Sequence, residues 1–170
     1  MLTTTRSLAI AGLITLVSAG NALAERVQPF ILGSSSAGDF AGAVANTKSK
    51  LSGAGFDVVG THAPYSGAEI IIFTSDELKA AATKSERGGY GAALRASVTD
   101  NGGNIEVAYT NPKYWANAYR MNDQLDGVSA KLASALGAEK QFSSGDKELT
   151  PEDLRKYHYT FLMEYCDDPS

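Results

Sequence analysis

The sequence predicts an α+β domain, a curved and mostly antiparallel sheet with helices packed on one face. Its elements run β-α-β-β-α-β-β-α and are followed by a C-terminal extension. Three observations carry this expectation. Ala68 to Phe73 is a continuous apolar run with three consecutive isoleucines, the pattern of a central strand covered on both faces. Two alternating segments, 92–99 and 105–110, flank Asp100-Asn101-Gly102-Gly103, residues that tolerate the positive φ of a hairpin turn. Apolar side chains at helical spacing then separate the strands: Phe40, Val44, Thr47 and Leu51, and again Leu125, Val128, Leu132 and Leu136.

Taken in order, residues 1–24 read as a signal peptide. Arg6 supplies the positive n-region, Leu8 to Val17 an apolar run, and Ala22-Leu23-Ala24 an A-x-A cleavage pattern ahead of Glu25-Arg26. The apolar run is about 10 residues, half of the roughly 20 needed to span a bilayer. Cleavage after Ala24 therefore predicts a periplasmic chain with no membrane span. Residues 25–137 form the α+β domain. Val27 to Leu32 is its first strand, ended by Gly33-Ser34-Ser35-Ser36, and residues 37–52 are a helix with a serine as N-cap and Gly53 or Gly55 at its end. Phe56 to Thr61 is the second strand and 68–73 the third. Thr74 and Glu77 have the spacing of a capping box for the alanine-rich helix that follows. Gly88 to Gly91 reads as a flexible link. After the hairpin, Asn111-Pro112 caps and starts a short helix, and Gly137 closes the helix marked by Leu125 to Leu136. Residues 138–170 form the extension: a polar loop to Glu148, a short helix from Thr150, and a tail in which Tyr157, Tyr159, Phe161, Met163 and Tyr165 alternate as in a half-buried strand.

Composition narrows the function. Removing residues 1–24 from 170 leaves 146 and takes away one charged residue, Arg6, so the net charge moves from −4 to −5. A mildly acidic chain with scattered Lys and Arg lacks the basic face that nucleic acid requires. With one cysteine, Cys166, no intramolecular disulfide can form, and stability must come from the packed core.

The segments Leu51-x3-Gly55-Phe56-x-Val58-Val59, Ile70-Ile71-Ile72-Phe73-Thr74 and Val98-Thr99-x4-Asn104-Ile105-x-Val107-x-Tyr109, the last leading into Asn111-Pro112, resemble the domain-of-unknown-function 302 family over residues 27–136. The resemblance implies an α+β domain, often dimeric, and no chemistry. The signal peptide and aromatic tail suggest an exported subgroup.

The candidate chemistry is sparse. No nucleophile elbow, zinc-protease helix or phosphate-loop lysine is present. His158, with Cys166 and Met163, offers soft ligands suited to copper or zinc, but on one strand His158 and Cys166 stand roughly 26 Å apart (eight residues at ~3.3 Å), and Met163 faces the other way. They converge only if the tail turns or if His62 or Met121 joins them. Gly33 to Gly38 joins a strand to a helix start and could hold an anion; the plainer reading is a helix cap. The strongest functional feature is Tyr109, Asn111, Tyr114, Trp115, Tyr119 and Arg120, with Asn117 and Met121 among them. So many large groups within 13 residues can build an apolar pocket or a protein interface, or can simply pack a short helix on the sheet. The expectation is a non-enzymatic exported module that binds a small apolar ligand or a partner chain, either a second copy in a homodimer or another periplasmic protein. The alternative is a periplasmic metal or redox protein built on Cys166.

Overall fold

The computed structural model describes residues 26–86, 88–145 and 149–157. The segment read as a signal peptide, the alternating tail beyond Tyr157, and with it His158, Met163 and Cys166, lie outside the described residues. The elements are β1 (Phe30–Ala37), α1 (Phe40–Gly53), β2 (Asp57–His62), β3 (Ala68–Thr74), α2 (Asp76–Ala82), a 3-10 turn (Gly88–Gly91), β4 (Leu94–Asn101), β5 (Asn104–Thr110), α3 (Pro112–Ala118), α4 (Asp126–Leu136), β6 (Lys140–Phe142) and α5 (Pro151–Arg155). Among the described residues the strands form one sheet in the order β2-β3-β4-β5-β1-β6, every neighbouring pair antiparallel. This is the α+β architecture that the sequence predicts.

The core lies between one face of the sheet and the pair α1 and α4. Leu51 from α1 and Val128, Leu132 and Leu136 from α4 meet Ile71, Phe73, Ala96, Val98, Ile105 and Val107 from the strands. Phe56 and Phe73 pack edge to face at 5.2 Å, a geometry favoured by the ring quadrupoles. The apolar residues at helical and alternating spacing in the sequence are these core residues, because a helix repeats every 3.6 residues and a strand every two.

Local chemistry moves several boundaries. β1 does not stop at Gly33: Ser34, Ser35 and Ser36 pair with Val107, Glu106 and Ile105 across a bulge between Leu32 and Ser34. The ladder is made by backbone groups, so serines whose side chains face solvent are tolerated. The anion-holding loop considered for Gly33 to Gly38 is therefore strand over its first five residues. The N-cap of α1 is Asp39, whose Oδ2 accepts from Gly42 N–H at 2.6 Å. For α2 the cap is Ser75, accepting from Leu78 N–H at 3.2 Å. Thr74 is one residue too early; it ends β3 and its hydroxyl donates to the Ala92 carbonyl at 2.6 Å. Glu77 pairs with Lys131 of α4 at 2.6 Å instead of reaching back. A capping box does form at α5, where Thr150 and Asp153 exchange hydrogen bonds.

The hairpin is as the sequence predicts. Gly102 and Gly103 take φ of 67° and 90°, and Asp100 Oδ1 accepts from Gly103 N–H at 2.6 Å. The segment after Gly137 is not all loop: Lys140–Phe142 pairs with β1 as the short edge strand β6. Val27 bridges to Leu149, and α5 packs on α3 through Arg155, whose Nε donates to Asn117 Oδ1 at 2.7 Å. The described part of the extension thus packs on its own domain.

Candidate functional site

The aromatic segment divides into two groups with different surroundings. Tyr109 is in the core, 2% exposed, and its hydroxyl donates to the Gly137 carbonyl at 2.9 Å. Burial pushes its pKa up to about 12, because the phenolate would be stranded away from water. Asn111 is equally buried and caps α3: its Oδ1 accepts from Lys113 N–H, while its Nδ2 donates to the Gln28 carbonyl and to Gln141. Those bonds tie the α3 start to the chain before β1 and to β6. Arg120, at φ 52°, turns the chain after α3, and its Nε donates to the Arg155 carbonyl at 2.8 Å. These three residues hold the framework.

Tyr114, Trp115 and Tyr119 form the second group, and the structure joins Tyr90 to it. Proline at the first helical position and the Asn111 cap set α3 at the end of β5, which puts Trp115 and Tyr119 one turn apart on one side. Their rings stack at 5.1 Å, Tyr119 stacks on Tyr90 at 5.4 Å, and Tyr114 meets Trp115 edge to face at 6.3 Å. Each such pair contributes about 0.5–1.5 kcal/mol beyond area burial. Tyr90 is 71% exposed, so the ladder runs from the protein interior to solvent. The Tyr119 phenol is shifted up by burial, against the pull of Arg95, and the Tyr114 phenol by burial with Tyr157 close by. Trp115 Nε1 is buried and has no hydrogen-bond acceptor among the described residues. Buried polar groups are seldom left so.

Arg95 connects this ladder to the sheet face opposite the core. Its guanidinium sits 5.9 Å from the centre of the Trp115 ring, a cation–π contact of about 0.5–1 kcal/mol at an exposed position. Two rows of side chains cross that face. The strand pairing aligns Ile72, Arg95, Thr110, Phe30 and Phe142 in one row and Ile70, Ser97, Ala108, Leu32 and Lys140 in the next. Phe30 and Phe142 touch with ring centres 5.7 Å apart. Between the rows lies a shallow concavity of about 350 Å³, lined largely by Phe30, Ile70, Arg95, Ala108, Thr110 and Phe142. Every residue lining it belongs to a strand and among the described residues no helix covers it, so β3, whose continuous apolar run suggests cover on both faces, has helices on one face alone there.

Other depressions differ in character. One of about 470 Å³ beside Ser75, Asp76, Glu77 and Lys131 is polar, and its charges are partly met by the Glu77–Lys131 pair. No group of three His, Cys, Asp or Glu side chains able to hold a metal occurs among the described residues. His62 ends β2 in an exposed position, Met121 is fully buried in the core, and His158 and Cys166 lie outside the described residues. No helix among the described residues is long and apolar enough to cross a membrane.

Of the six residues singled out in the sequence, Tyr114, Trp115 and Tyr119 come together at one end of the open face, whereas Tyr109 packs in the core, Asn111 caps α3 and Arg120 ties the turn after α3 to α5. The sequence reading missed Phe30, Arg95, Tyr90 and Phe142. Arg95 had a signal, as a lone arginine in the polar register of a strand, and Phe30 and Phe142 had none, because their contact depends on β6.

No protein-family model matches the sequence, and no curated protein matches it. Among solved structures, the chain is similar to the crystal structure of an uncharacterized conserved protein, DUF302, from Bacillus stearothermophilus, with a TM-score of 0.53 and 14% identity over 61% of this chain and 92% of that one. At that identity the likeness is one of fold. The resemblance to the domain-of-unknown-function 302 family carried by the motifs of residues 27–136 is thus also a resemblance of folds.

Proposed function

We propose that the protein is an exported, non-enzymatic binding module that takes a partner chain or a small apolar ligand on the open face of its sheet. The observation that carries this reading is the concavity of about 350 Å³ flanked by Phe30, Phe142 and Ile70, with the Arg95 guanidinium held at its edge by Trp115. Apolar walls with a few convergent polar groups are the usual make-up of a ligand site, and aromatic residues with Arg are enriched where proteins meet. In the described residues Arg95 forms no ion pair, so its charge is available to a carboxylate. Export follows from the signal-peptide pattern of residues 1–24, and the compartment is the periplasm.

Native mass spectrometry on residues 25–170, purified from a periplasm, tests the reading. The expected result is a dimer or an added small-molecule mass that disappears in Ile70→Asp, which places a charge on the floor. A bare monomer that also fails to take up anilinonaphthalene sulfonate, an apolar anionic dye, would sink the proposal.

A further inference from the structure

We infer that the ligand of the open sheet face is a small carboxylate with an apolar tail, its headgroup on the Arg95 guanidinium and its tail over Ile70, Ala108, Phe30 and Phe142. This deepens the proposed function and rests on its choice of face.

Charge selects the headgroup. Among the described residues lining the concavity, Arg95 alone carries a charge, and no carboxylate lines it. Glu106 shares the face but stands four residues from Thr110 along β5, roughly 13 Å at ~3.3 Å each. Lys140, in the row of Ile70, is a second cation. None of the five N–H donors of the Arg95 side chain is hydrogen-bonded among the described residues, because the contact with Trp115 engages its charge and not its donors. At the same end the Trp115 indole N–H also lacks an acceptor among the described residues. That end of the face therefore has a surplus of donors, and a carboxylate brings acceptors alone. Its two oxygens match the guanidinium fork with two parallel hydrogen bonds.

The remaining polar side chains limit the headgroup to a single charge. The Thr110 hydroxyl is spent on the Arg95 backbone, accepting from its N–H at 3.2 Å and donating to its carbonyl at 3.3 Å. The Tyr109 hydroxyl is spent on Gly137. Ser97 is the lining hydroxyl left beside Arg95, so a phosphate dianion would have half its charge met. Geometry sets the tail. Phe142 lies three strands from Arg95 in the same row, through Thr110 and Phe30, about 14 Å at ~4.8 Å per strand. The rings of Phe30 and Phe142 close that far end, and Ile70 and Ala108 line the way to it. A volume of about 350 Å³ suits a small ligand.

Charge also decides between a small anion and a second copy. A two-fold interface presents the same patch from both sides. Two copies centred on this concavity would bring two Arg95 side chains together with no lining carboxylate to meet either, and such like-charge contacts are costly.

The test titrates the purified, isotope-labelled protein with octanoate, 1-octanol and octyltrimethylammonium, which share a tail and differ in head charge. Trp115 is the one tryptophan, so its fluorescence follows the Arg95 end of the face, while amide shifts on β1, β4, β5 and β6 follow the tail. Octanoate is expected to move both signals and to bind at least about tenfold tighter than the other two, the scale of a charge-assisted hydrogen bond. Arg95→Met should erase that preference. Arg95→Glu should hand it to octyltrimethylammonium, a reversal that a misfolded variant cannot give. Equal binding of all three, or an octanoate preference that survives Arg95→Glu, overturns the inference and leaves the proposed function standing. Octanoate shifts confined to residues away from this face also overturn it. Binding of none of the three overturns it as well, and the oligomeric state then separates the two ideas. A monomer removes both, whereas a dimer whose face amides shift on dilution keeps the partner-chain form of the proposed function.

Discussion

Gly33 and Gly137 are expected to act as one packing unit, and substituting them tests whether Gly33 belongs to a loop or to a backbone contact. Gly33 lies at the β1 bulge, where a Cβ would stand 2.6 Å from the Leu136 carbonyl oxygen and 3.3 Å from that of Val107. Gly137 ends α4 at φ 90°, and its Cβ would stand 2.1 Å from the Gly33 carbonyl oxygen. In both cases the obstacle is backbone, which cannot rotate aside. Gly33→Ala therefore costs about 1–3 kcal/mol, the range for overpacking a well-filled site. Gly137→Ala meets the same obstacle and adds about 1–3 kcal/mol for holding a Cβ-bearing residue at positive φ. At roughly 4 °C per kcal/mol for a domain of this size, each lowers Tm by several degrees. The two clashes share one gap, so once the α4 end has been pushed off β1 the second alanine adds less. The double mutant should then fall short of the sum by at least about 0.5 kcal/mol, as expected for coupled neighbours. Urea unfolding of the two single variants and the double variant reads all three values. A Gly33→Ala change within about 0.5 kcal/mol of the parent, the size of an ordinary surface substitution, would refute the close approach and return residues 33–38 to a loop.

Other expectations can be checked separately. Tyr109 has its pKa raised from 10.0 to about 12. A raised folded pKa means stability is fully present below the unfolded value near 10 and is lost as pH rises toward 12. Two units at about 1.4 kcal/mol each make that loss roughly 3 kcal/mol. Tyr109→Phe costs about 1 kcal/mol at neutral pH through the Gly137 hydrogen bond and should flatten the alkaline decline; an unchanged decline would assign it elsewhere. Ser75→Ala removes the α2 cap and should cost about 1 kcal/mol in thermal unfolding, while Glu77→Ala, which leaves that cap intact and removes a partly exposed ion pair with Lys131, should cost less; the opposite order would restore the capping box at Thr74. The Asp123 carboxylate is held below the usual range by the Leu125 N–H and by Lys84. Its contribution is present above the unfolded value near 4 and is lost as pH falls through the folded one. Asp123→Asn should accordingly lessen the acid sensitivity of the loop between α3 and α4, read from amide signals across pH 2–5.

Much of the architecture was determined by the sequence alone. The strand at 68–74 was legible as a continuous apolar run, and the strands around the Asp100–Gly103 turn and the helices carrying Leu51 and Leu132 are written in periods of two and 3.6. The Asn111-Pro112 start of α3 was equally legible, because a cap and a proline act within a few residues of themselves. Element ends were less so. Thr74 and Ser75 are both competent caps, and the choice fell to Ser75 because the β2–β3 ladder, in which Thr74 pairs with Asp57, extends far enough to keep Thr74 in the sheet. The serines of β1 looked like a loop since strand pairing uses backbone groups that composition does not show.

The site was decided by the tertiary structure. Among the aromatic residues, Tyr109 was sent to the core by strand parity and Trp115 to the rim by the turn of α3, a division that depends on how helix and sheet meet. Phe30 and Phe142 are neighbours only because β6 pairs with β1, and Arg95 reaches Trp115 only because β4 lies beside β5. Local periodicity specifies which side of an element is apolar. Which apolar sides find each other, and which one is left open, is fixed by long-range pairing that no short window of sequence contains.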